Sequence, residues 1–250
     1  MYSDAMSKTV VLVAVLVAFT VACASAQTAT PPPATAAPAT GTPPAAGTPA
    51  RAAGLTLDDV IRGLETAYGK MNDLKASFSQ TAFNKSLNST IPAEGTLALK
   101  KGGKLRWEFS EPTPQEIVSD GKTLWVYTPS LNQVNVGAAP EALAGPAGSF
   151  LAGLGRLREH FNVRFLNPAQ PTDKDGNVVL DLTPKQPLPT LNRLILSVEP
   201  KAWEIRKAVV YDQFDNTVTM QFTKVAVNTG LPDRLFTFVP PKGVATVPLR

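Results

Sequence analysis

Cysteine and histidine are almost missing from this chain of 250 residues, each occurring once, as Cys23 and His160. One cysteine excludes an internal disulfide, and a lone histidine with no cysteine partner excludes the common tetrahedral zinc sets. Long apolar runs are missing too. The longest, Val10 to Val21, covers 12 positions. That is too short to cross a bilayer and suits the core of a signal peptide. Excess charge of one sign is also lacking: 24 Lys and Arg against 20 Asp and Glu leave +4. No arginine-rich stripe and no aromatic platform among basic residues stands out, so no nucleic-acid partner is expected.

What is present begins with that N-terminal run. Asp4 and Lys8 precede it, and Ala24-Ser25-Ala26 follows as a small-x-small cleavage site. Met1–Ala26 therefore reads as a signal peptide, and the chain as exported. Cys23, in "TVAC", opens a second route, because the stretch loosely resembles a lipobox whose cysteine becomes lipidated. Thr20 stands where that motif usually holds leucine. Residues 27–54 are, after Gln27, Pro, Ala, Thr and Gly with one charge, Arg51. Such a segment buries too little apolar surface to offset its ordering entropy, so it reads as a disordered tether. Residues 55–250 are a suitable length for one domain.

Thr56 can cap a helix opening with Asp58 and Asp59, acids favoured at a helix start. Leu57, Val60, Ile61, Leu64, Tyr68, Met71 and Leu74 recur at three and four residues, which predicts one amphipathic helix. Strand signals then follow closely: "KASFSQTAF", "GTLALKK", "KLRWEFS", "QEIVS", "KTLWVY" and "LNQVNV". After Pro140–His160 come "FNVRFL", "NVVLDLTP", "LNRLILSVE", "AWEIRKAVVYDQ" and "TVTMQFTKVAV". Gly102-Gly103, Asp120-Gly121 and Asp175-Gly176 supply tight turns, so the series reads as an antiparallel meander. A further short extended piece is expected in "LFTFVPPKGV". The fold class is thus mainly β with helices, about eleven strands. The segment Pro140–Leu157 is apolar but broken by glycines and Pro146, and is placed over the sheet as weak helices or a mobile cover.

Several strands are apolar on both faces. In "KTLWVY", Leu124 and Val126 oppose Trp125 and Tyr127; in "LNRLILSVE", Ile195 opposes Leu194, Leu196 and Val198. Ordinary core packing beneath helices explains part of this. The sharper reading is a curved sheet whose concave face keeps room for an apolar guest. Catalytic alternatives are thin. His160 lacks partners for nucleophile chemistry, which leaves a lipid hydrolase without support. Asp173, Asp175 and Gly176 start like a calcium loop but lack its distal glutamate, so a hairpin turn fits better. Glu108, Glu111 and Glu116 read as a solvated face. No enzyme, no metal and no cofactor are expected.

Five stretches in order also resemble the LolA family of periplasmic outer-membrane lipoprotein carriers: "ASFSQ", "GTLALKKGGKLRWEF", "VSDGKTLWVYTPSLNQVNV", "LTPK" and "FTFVPPKGV". The resemblance implies an unclosed antiparallel half-barrel with a helical lid over a hydrophobic cavity, acting in the periplasm as a monomer. It implies as partners acylated lipoproteins, an inner-membrane lipoprotein-releasing ABC transporter and an outer-membrane lipoprotein receptor. Phe78, Leu97, Leu99, Leu105, Trp107, Phe109, Trp125, Phe150 and Leu154 are the candidate cavity residues. Where the family has Arg-Pro, this chain has Lys101-Gly102, which makes Lys101 the candidate lid contact. Lysine lacks the planar donor fork of arginine. A lipid-anchored receptor, if Cys23 is acylated, and a lipoprotein-sensing stress protein are the alternatives of the same architecture.

Overall fold

The computed structural model describes residues 51–52, 54–139, 156–188 and 191–249. The signal peptide, Cys23, most of the tether and the Pro140–Leu157 cover, with Phe150 and Leu154, lie outside them, except for residues at the edges.

A two-residue strand β1 (Arg51–Ala52) pairs with β2 (Leu55–Thr56) and leads into helix α1 (Leu57–Lys70). Thr56 caps α1 as expected: its hydroxyl accepts from the Asp59 amide at 3.2 Å, while Asp59 accepts from the Thr56 amide at 3.0 Å. The helix is shorter than its apolar period. It stops at Lys70, and Leu74 already belongs to the sheet. The cause is tertiary: the Asn72 amide donates to the Asn228 side chain, and its carbonyl accepts from the Lys101 amide, drawing the chain into an extended path.

The meander follows as β3 (Asp73–Asn84), β4 (Ser89–Lys100), β5 (Lys104–Glu111), β6 (Gln115–Asp120), β7 (Thr123–Thr128) and β8 (Gln133–Ala138). A one-turn helix α2 (Leu157–His160) opens the second run: β9 (Phe161–Phe165), β10 (Val178–Pro184), β11 (Arg193–Glu199), β12 (Glu204–Tyr211) and β13 (Thr217–Val227). With β14 (Ala245–Pro248) these form one 12-stranded sheet in the order β14-β8-β7-β6-β5-β4-β3-β13-β12-β11-β10-β9. Every pair except β14 with β8 is antiparallel, and the edges β14 and β9 do not pair with each other. The half-barrel is therefore unclosed. At the Asp120-Gly121 turn, Gly121 has φ +94, and a Cβ there would lie 2.1 Å from the Gly102 carbonyl oxygen. No side chain fits at that turn.

The registers assign the faces. Leu97 pairs with Trp107, Trp107 with Ile117, and Ile117 with Val126, so these share the concave side with Leu124. Helix α1 closes the other half, burying Val60, Ile61 and Leu64 against Leu180, Leu182, Leu196 and Val198. On the outer side, Asp181 is buried between Arg193 and Arg164, each at 2.7 Å.

The convex face of β4 to β8 is covered by the chain's own C-terminus, which explains the two-sided apolar pattern in "KTLWVY". Leaving β13, the chain passes its Thr229, Gly230 and Leu231 amides to the Asp73 carboxylate at 2.7–3.2 Å. Lys100 and Lys104 then grip Asp233 at 2.6 and 2.8 Å. Phe236 is fully buried, and Phe238 packs 6.5 Å from Trp125 and 5.5 Å from Tyr127. The stretch "LFTFVPPKGV" begins in a 3-10 turn over Asp233–Phe236, and Thr237 after it is extended, but none of its residues before the double proline joins the sheet. The strand, β14, forms beyond the double proline.

Burial pulls the Asp73 carboxyl upward, but the bonds from Thr229, Leu231 and Gly230 outweigh it and hold it below the usual carboxylate range. Its stabilisation is present above the unfolded pKa and lost as pH falls through the lowered native value. Asp73→Asn should therefore lower unfolding free energy by about 1–3 kcal/mol at neutral pH, since three backbone amides lose a buried charged acceptor. Urea titrations of the two proteins should converge in strong acid.

Candidate functional site: an apolar hollow between two walls

Between α1 and the sheet lies a cavity of about 80 Å³. One wall is Leu74 and Ala76 of β3, Leu97 and Leu99 of β4, and Trp107 of β5. The facing wall is Leu191, Leu194, Leu196, Ile205, Ala208 and Val210, with Met220, Phe222 and Val225 between them and Tyr68 contributed by α1. No residue of this lining carries a charge at neutral pH. The Tyr68 hydroxyl accepts from the Ile205 amide at 3.4 Å, and burial pushes its pKa up to about 12. The hollow can therefore hold a guest only by burying its apolar surface.

The sequence-derived residues fall in three places. Leu97, Leu99 and Trp107 line the hollow. Phe78, Leu105 and Phe109 lie beside it on the same concave face: Phe78 meets Trp107 edge-on at 5.4 Å and Phe109 at 5.3 Å, while Trp107 and Phe109 stack at 6.0 Å. Trp125 is a correction. It pairs with Val118 and Val136 on the convex side, because Leu124 and Val126 occupy the inner positions of β7. Lys101 sits exposed in the turn after β4, with its amide bonded to the Asn72 carbonyl. The cover it was expected to contact lies outside the described residues.

The β11–β13 wall and Tyr68 were not among the expected site residues. Alternation of Leu194, Leu196 and Val198 was visible, but nothing local showed which concave surface it would face. The rejected alternatives have structural explanations. Asp173 accepts from the Asp175 and Asn177 amides at 2.9 and 3.0 Å, closing a turn. Glu108 and Glu116 each hold Arg106 at 2.7 Å outside the sheet. Among the described residues no His, Cys, Asp and Glu cluster could hold a metal.

An open antiparallel sheet bent around an uncharged, apolar hollow defines a half-barrel of the kind suited to enclosing a greasy guest. The family description "Outer membrane lipoprotein carrier protein LolA" matches residues 69–239. The chain belongs to the LolA family. It is 32% identical over 174 residues to the outer-membrane lipoprotein carrier protein of Dechloromonas aromatica, covering 70% of this chain and 80% of that one. To the carrier of the same name in Chromobacterium violaceum it is 32% identical over 202 residues, covering 79% and 93%. A solved LolA superfamily protein from Nitrosomonas europaea is 15% identical, with TM-score 0.41, over 74% of this chain and 98% of that one.

Proposed function

We propose that this protein is a periplasmic, monomeric carrier, exported by Met1–Ala26, that buries the acyl chains of lipoproteins in the hollow. It receives them from an inner-membrane ABC transporter and hands them to an outer-membrane receptor, without covalent chemistry. The observation that carries this reading is the uncharged hollow walled by both halves of the sheet, in a chain of the lipoprotein-carrier family.

The energetics suit such a role. Burying one sixteen-carbon chain is worth about 12 kcal/mol at about 0.8 kcal/mol per CH₂. A cavity of about 80 Å³ is far below the roughly 300–1,000 Å³ of ligand pockets. Loading must therefore push apart groups that are packed in the empty protein, and that work offsets part of the burial gain. A tight grip in water thus becomes a releasable one.

An apolar fluorescent probe is expected to bind the mature protein stoichiometrically and to be displaced by triacylated lipoprotein. Retention of the probe under saturating lipoprotein would overturn the reading. Because only Tyr68 in the lining titrates, probe affinity should be flat from about pH 5 to pH 9. Fold stability should fall as pH rises from about 10 toward 12, where the unfolded tyrosine ionises and the native one does not.

A further inference from the structure

Trp107 carries the one buried side-chain nitrogen or oxygen among the described residues that has no hydrogen-bond partner, its indole Nε1. The residue is 1% exposed and lines the hollow. Its neighbours on the concave face, Leu97 and Ile117 across the ladder and Phe78 edge-on, offer no side-chain acceptor. The strands on either side of it, β4 and β6, are both paired with β5. A buried donor left unmade is a standing cost that phenylalanine at this position would avoid.

The rest of the lining does not share this feature. Tyr68, the other polar side chain there, is already bonded to the Ile205 amide, and the β11 wall of Leu194 and Leu196 is hydrocarbon throughout. Trp107, on the β5 wall of the hollow, thus holds an unused donor that a guest reaches once loading parts the packed groups around it, while the β11 end offers only apolar surface. Resting on the carrier reading above, we infer that the Trp107 N–H is a subsite for the carbonyl oxygen of a fatty acyl ester or amide. The acyl chain then runs from β5 across to β11. A plain hydrocarbon gains from burial alone and takes no fixed direction. An acyl carbonyl adds a hydrogen bond made in a dry site, and so sets which end of the guest lies where.

The test compares a fatty acyl methyl ester with the alkane of equal length, using full mature protein with isotope-labelled tryptophan. Three indole N–H signals are present, from Trp107, Trp125 and Trp203, and Trp107→Phe identifies the first. The ester is expected to move the Trp107 N–H signal downfield, and the alkane is not. Trp107→Phe should weaken ester binding about fivefold to tenfold more than it changes alkane binding. If saturating ester leaves the Trp107 signal where the alkane leaves it, or the variant loses both ligands equally, the carbonyl subsite is wrong while the carrier reading stands. If wild-type protein binds neither, the carrier reading fails and the subsite with it. If Trp107→Phe folds poorly, Trp125→Phe and Trp203→Phe assign the other two signals, and the wild-type spectra then decide the matter.

Discussion

Ala208→Leu is expected to cut apolar-probe affinity by an order of magnitude or more while leaving the melting temperature unchanged or raised. Ala208 lies on β12, opposite Leu196 on one side and Met220 on the other, and lines the hollow. Adding carbons to a well-packed core usually costs about 1–3 kcal/mol in strain. Here the added carbons enter a hollow of about 80 Å³ that the protein's own atoms leave unfilled. They replace missing contacts and take the room a guest would use. Isothermal titration with the probe and a thermal melt separate the two effects. A variant that melts lower and still binds would show that the hollow is not the binding space.

Gly63→Ala should destabilise the fold by about 1–3 kcal/mol, although alanine is the better helix former by about 1 kcal/mol. The reason is a single close approach. A Cβ at Gly63 would lie 2.2 Å from the Trp203 ring, which is held over α1 from a turn residue with φ +59. Either the indole or the helix must move. Since α1 carries Tyr68 into the hollow, lifting it also loosens one boundary of the cavity. Faster probe entry should accompany the lower stability, and Trp203→Ala in the Gly63→Ala background should recover much of the loss. A stabilised Gly63→Ala protein would mean that this packing does not seat the helix. Both measurements fit one stopped-flow and urea series.

Local rules accounted for a large part of this protein. The capping box at Thr56 and Asp59, the turns at Gly102-Gly103, Asp120-Gly121 and Asp175-Gly176, and the alternation within each strand depend on residues a few positions apart. They were legible without a fold. The same alternation placed Leu97, Leu99 and Trp107 on one face, and that face lines the hollow. Expectations failed where neighbours distant in sequence decide. Met71 and Leu74 keep helical spacing, yet Asn72 is held by Asn228 and Lys101, so the chain leaves the helix early.

Trp125 shows why a pattern by itself cannot orient a strand that is apolar on both sides. Leu124 and Trp125 are both suited to burial, and each is covered: Leu124 by the concave core, Trp125 near Phe238, which lies more than a hundred residues along the chain. Which of the two faces a guest depends on what the C-terminus covers, and that segment is pinned by Asp73 and Lys100 rather than by any local signal. The amino-acid sequence alone determined most of the elements, their order and their turns, because hydrogen bonding and sterics act over a few residues; the end of α1 and strand β14 depend on distant contacts. Only the folded chain decided which surface is inner, that β11 to β13 supply the second wall, and that one indole N–H is left without an acceptor. Those are properties of contacts made across the sheet and of the space left between them.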